Sequence, residues 1–174
     1  MRDFLTIVIC IIIAAIVALL ASENITTIKG YSSLMAITAT GFIIHWLIFI
    51  PSFLNRSEKL YDITGTIAYL TMTLIAIISV TNNGESLSLR SKIVSLLIIL
   101  WALRLGLFLL IRVLQVGEDK RFKYAKKSFI KFLMYFSISG LWVFLTTVNA
   151  LTVILNNSAI RSDLFMIIGL LISI

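Results

Sequence analysis

Two arginines eight residues apart, Arg104 and Arg112, interrupt "WALRLGLFLLIRVLQV", a run otherwise apolar enough to cross a bilayer. A charge at the centre of a spanning helix costs at least about 2.5–3.5 kcal/mol on insertion scales, so by default it marks function. Arg104 is the twelfth residue of a 23-residue span and has no acidic residue within four positions on either side. Asp62 and Glu58 lie nearer the membrane surface, at the level of Arg112. Asp62–Arg112 therefore reads as a structural pair, with snorkelling as the other reading for Arg112. Arg104 is left needing an anion, a carbonyl or water.

Other polar residues fall in stripes. Asp62, Thr66, Tyr69 and Thr73 are spaced i, i+4, i+7 and i+11, which puts them on one face of a helix. Tyr135, Ser139, Trp142, Thr146 and Asn149 repeat the pattern, and Thr38, Gly41 and His45 share a third face. Counted from the near ends of their spans, His45, Tyr69, Arg104 and Tyr135 all lie roughly 10–17 Å deep. The expectation is one polar cavity served by four helices. The plainer readings are that the stripes pack helices and that His45 hydrogen-bonds a neighbouring carbonyl.

The elements that must position these residues are membrane spans. Of the 174 residues, 60% are hydrophobic and only 13% charged, about half the usual charged share of a soluble domain. Apolar runs near 4–21, 33–54, 60–81, 93–115 and 128–154 approach or exceed the roughly 17–25 residues that cross a bilayer. A sixth, at 163–174, is too short to cross. The expected fold is an all-α polytopic bundle in one membrane domain, with five full spans and a partial sixth, cut off at its C-terminus. The first run is longer than the usual signal-peptide core and reads as a span. Cys10 and His45 are the only residues of their types, so a Cys/His metal cluster is excluded.

Nine Lys and Arg residues fall on the side of the N-terminus and the second and fourth loops, against four on the other side. That bias predicts a cytoplasmic N-terminus. It also accounts for the net charge of +7 through the membrane, with no nucleic-acid partner. No Gly-rich phosphate-binding motif and no internal repeat is present.

Four motifs, in order, carry a resemblance: "SEKLYDITG" at 57–65, "WALRLGLFLLIR" at 101–112, "GEDKRF" at 117–122 and "LWVFL" at 141–145. Together they resemble a bacterial membrane family of unknown function. That family is related to the steroid 5α-reductases and, more remotely, to the isoprenylcysteine carboxyl methyltransferases.

The resemblance implies an inner-membrane enzyme that reduces a conjugated C=C of a lipid-like substrate with NADPH. Glu58, Asp62 and Tyr69 would orient the substrate carbonyl as catalytic residues. Arg104, Arg112, Asp119 and Arg121 would bind the cofactor. The Arg-His-Pro-x-Tyr-like segment of those families is not found here. The chain is therefore expected to be an N-terminal portion, inactive alone, with a second polypeptide as a candidate to complete it. The alternatives are an S-adenosylmethionine-dependent methyltransferase relative and a non-enzymatic lipid-binding or transport subunit.

Overall fold

Five helices form where the apolar runs predict them: α1 (Arg2–Leu20), α2 (Ser33–Leu54), α3 (Tyr61–Asn82), α4 (Leu89–Val116) and α5 (Phe129–Asn156). The computed structural model describes residues 2–22, 27–28, 31–116 and 122–157. The expected sixth run at 163–174 lies outside them. Each helix is long and apolar enough to cross a membrane. Between α1 and α2 a two-residue antiparallel pair forms, with Thr27 opposite Ser32 and Ile28 opposite Tyr31.

The span ends agree with the sequence reading to within two residues, except at α4, which starts at Leu89 instead of 93. The cause is a cap. Ser88 Oγ accepts the Ser91 N–H at 3.2 Å, so the helix begins in the polar "SLRSK" before its apolar run. Asn157, just past α5, ties the two helix ends together: its side-chain oxygen accepts the Ser88 N–H at 2.8 Å, and its amide donates to Ser86 O at 3.0 Å.

Apolar side chains gain little by meeting each other in lipid, so close packing must hold such a bundle together. Small residues provide it. The buried side of α1 is Ile7, Cys10, Ala14 and Ala18. On α4 the buried residues include Ser91, Ser95, Ala102 and Gly106, again a mostly four-residue repeat of small side chains. A Cβ at Gly106 would stand 2.6 Å from both Cγ2 and Oγ1 of Thr66 on α3. A Cβ at Gly140 would meet Phe42 at 3.3 Å and His45 at 3.5 Å, which fixes how near α5 comes to α2.

A second packing unit closes the end of the bundle formed by the α2–α3 and α4–α5 connections, called here the basic end. Phe49, Phe122, Phe132 and Phe136 are buried there, with Tyr61 and Tyr135 packed against them. Tyr61 lies tilted against Phe122 with centroids 4.7 Å apart and edge-on to Phe136 at 5.1 Å. Such ring pairs each contribute about 0.5–1.5 kcal/mol beyond burial. They anchor the start of α3 against the segment leading into α5, and so fix where Asp62 stands.

Gly106→Ala is expected to destabilise the bundle by about 1–3 kcal/mol, because the stiff β-branched Thr66 blocks the new methyl group. Adding Thr66→Ala should recover most of that loss in an unfolding titration. Fully additive effects would contradict the contact.

Candidate functional site

The polar face of α3 turns toward α4 and α5, and the three helices enclose a crevice. Its mid-section is a cavity of about 200 Å³ whose lining includes Asp62, Thr66 and Tyr69 from α3, Trp101 and Leu105 from α4, and Ser139 and Trp142 from α5. It continues past the two tryptophans into a cavity of about 380 Å³ between Leu97, Ile98, Thr146 and Ala150. From Leu109 to Leu97 is twelve residues of α4, or ~18 Å of helix. Trp101 also forms one wall of a groove of about 400 Å³ on the neighbouring face of α4, with Arg104, Leu105 and Phe108.

Tyr69 stands at the narrow point. Its ring meets Trp101 edge-on, with centroids 4.9 Å apart. Its hydroxyl lies 2.8 Å from Thr146 Oγ1. The direction of this bond follows from proton counting. The single Thr146 hydroxyl proton faces the carbonyls of Trp142 and Val143, at 2.9 and 3.0 Å. Tyr69 is then the donor and Thr146 the acceptor. A ligand carbonyl that takes the Tyr69 proton must displace Thr146.

The depth argument for Asp62 and Arg112 holds. Arg112 donates to Asp62 Oδ2 at 2.6 Å, with side chains 41% and 18% exposed. Asp62 and Tyr69 are seven residues apart, ~10 Å along the helix, so they cannot grip one carbonyl oxygen together.

Glu58, expected beside them, instead receives a bond from Lys126 Nζ at 2.9 Å, and does not line the crevice. It joins the α2–α3 connection to the 3-10 turn at Ala125–Lys127, where both side chains are largely buried. Arg104 is exposed in its groove and makes no ion pair or hydrogen bond among the described residues. Asp119 and Arg121 lie outside the described residues.

The single cavity expected to serve four helices is divided. His45 is fully buried in the seam between α2 and α5, where its Nδ1–H donates to the Gly41 carbonyl at 2.8 Å. The bond lies within α2 and does not reach a neighbouring helix, and the buried Nε2 has no partner among the described residues. Tyr135 belongs to the aromatic cluster, 5.3 Å from Phe122. Equal depth placed these side chains at one level but did not give the direction in which each points.

Sequence reasoning that weighed polar stripes found Trp142 but missed the apolar wall that α4 supplies. Trp101, Leu105 and Leu109 follow i, i+4, i+8 spacing, and all three line the crevice.

Residues 45–174 match the family described as "Protein of unknown function (DUF1295)". The chain belongs to this family. No curated protein and no solved structure matches it. Asp62, Tyr69, Arg104 and Arg112 all fall inside the matched region, as does every residue lining the crevice.

The two ion pairs should separate by burial. Glu58→Ala is expected to cost about 2–3 kcal/mol of unfolding free energy, because it removes a charge-assisted hydrogen bond between two largely buried side chains. Asp62→Ala, at a more exposed pair, should cost about 1 kcal/mol or less. Chemical unfolding in lipid–detergent mixtures reads both, and the reverse order would contradict this assignment.

Proposed function

We propose that the chain forms part of a steroid-reductase-like integral membrane oxidoreductase, acting on the conjugated C=C of a lipid-like substrate with NADPH. The observation that carries this reading is the hydroxyl of Tyr69, whose ring packs on Trp101 in a crevice that Trp142 also lines. A flat enone would lie between Trp101 and Trp142, with its apolar remainder along Leu97, Ile98 and Ala150. Tyr69 would exchange its bond to Thr146 for one to the carbonyl oxygen. That bond strengthens as the oxygen gains enolate charge, which is the condition for catalysis.

NADPH, when bound, supplies the hydride that reduces the β-carbon, and a solvent proton completes the α-carbon. The fit of this chain to the cofactor rests on Arg112. One donor of its guanidinium is engaged by Asp62, and the others remain for phosphate oxygens. Asp62 is then a positioning residue that orients Arg112, a role distinct from contact with substrate. The family resemblance also assigns Asp119 and Arg121 to the cofactor, and in this reading the basic end faces the cytoplasm of a bacterial inner membrane. Guanidinium groups favour the triphosphorylated cofactor over S-adenosylmethionine, whose sulfonium carries positive charge.

Purified protein in lipid nanodiscs should bind NADPH, read from nicotinamide fluorescence. Arg112→Ala should weaken that binding about tenfold or more, and Tyr69→Phe should leave it unchanged. With progesterone as the enone probe, Tyr69→Phe should instead weaken binding by about tenfold. Failure to bind NADPH, or tighter binding of S-adenosylmethionine, would contradict the proposal.

A further inference from the structure

Arg104 lies within about 2 Å of the midpoint of the 28-residue helix α4. In a hydrocarbon layer about 30 Å thick centred on that helix, it is ~13 Å from the nearer edge. Snorkelling serves side chains near helix ends and does not serve this one. Its charge must be met where it stands.

The described acidic residues do not meet it. Asp62 is engaged by Arg112 and Glu58 by Lys126, both at the basic end. Glu85 lies at the far end, accepting from Asn157 at 3.1 Å, and Asp3 is in the first turn of α1. Among the described residues the groove around Arg104 is otherwise Trp101, Leu105 and Phe108, with Trp101 and Phe108 46% and 63% exposed. These four residues form one face of α4, at i, i+3, i+4 and i+7.

These walls restrict the ligand. One positive charge with apolar neighbours is neutralised by one negative charge. A cofactor bearing several phosphate charges would bring an excess of anion into a low-dielectric site that has nothing to offset it. A carboxylate matches the charge, and its two oxygens match the planar fork of a guanidinium.

We infer that Arg104 holds the carboxylate of a long-chain amphiphile that enters the groove from the bilayer, its chain lying over Leu105 and Phe108. Trp101 and Leu105 separate this ligand from the Tyr69 crevice and form a wall of both. The inference stands apart from the reductase reading, and it takes Arg104 out of the cofactor-binding set that the family resemblance implies.

The test uses the protein in nanodiscs of zwitterionic lipid, at alkaline pH where the carboxyl is ionised. Dibromostearate quenches nearby tryptophan, and Trp101 reports on the groove. Wild-type protein should be quenched saturably by the acid and far less by its methyl ester. Arg104→Gln should weaken binding of the acid ~10–100-fold, and Arg104→Lys should weaken it by less. Because Arg104→Gln removes a charge from mid-span, the variant should fold at least as stably as wild type. Equal quenching by acid and ester would overturn the inference, as would an Arg104→Gln protein that binds the acid normally. Competition by phosphatidylglycerol and not by oleate would also overturn it, by assigning the site to a phosphodiester. If Arg104→Gln lost NADPH affinity and kept the acid, the cofactor assignment would stand and this inference would fall.

Discussion

A charge carried into a hydrocarbon layer must be met by an opposite charge or a hydrogen bond, and that constraint organises the α3–α4–α5 side of this protein. Asp62 and Arg112 meet it for each other, pinning the basic ends of α3 and α4 together. Tyr69 and Thr146 do the same between α3 and α5, with a hydroxyl pair in place of charges. With those two links made, α4 and α5 flank α3, and the space among the three is the crevice. Close contact between backbones makes the links reachable: with a side chain at position 106, Thr66 would hold α4 away.

The remaining half of the bundle is quieter chemically. α1 presses a stripe of mostly small residues against its neighbours, and α2 closes the bundle with His45 Nδ1 bonded to its own helix and its buried Nε2 without a partner among the described residues. The aromatic cluster at the basic end and the Asn157 bonds at the far end set the ends of α3, α4 and α5. The candidate site is thus built on α3, α4 and α5, where polar groups face a gap between helices. Two environments adjoin there across Trp101. One contains a neutral hydroxyl pair, and the other a lone guanidinium.

Much of this was legible in the sequence, and the reasons differ by residue. Spans follow from apolar length, which is a property of one segment at a time. The Asp62–Arg112 pair followed from depth, because residue counts along a helix convert directly to height. The division between the Tyr69 crevice and the His45 seam was not legible. It depends on the rotation of each helix about its axis, set by contacts such as Gly140 against His45 that involve two segments at once. The early start of α4 was missed because the Ser88 cap lies in polar sequence, outside the apolar run that identified the span. Trp101 was passed over for a related reason: in an apolar helix an aromatic looks like lipid-facing surface until the opposite wall is known.

The account turns on Arg112 of α4 being paired and Arg104 having no partner among the described residues. Nitrogen-15 spectra of the guanidinium groups in lipid nanodiscs test this directly, with Arg104→Lys and Arg112→Lys assigning the signals. Asp62→Asn should shift the Arg112 resonances and leave those of Arg104 in place. A shift at Arg104, or none at Arg112, would contradict the pairing on which the rest of the site is built.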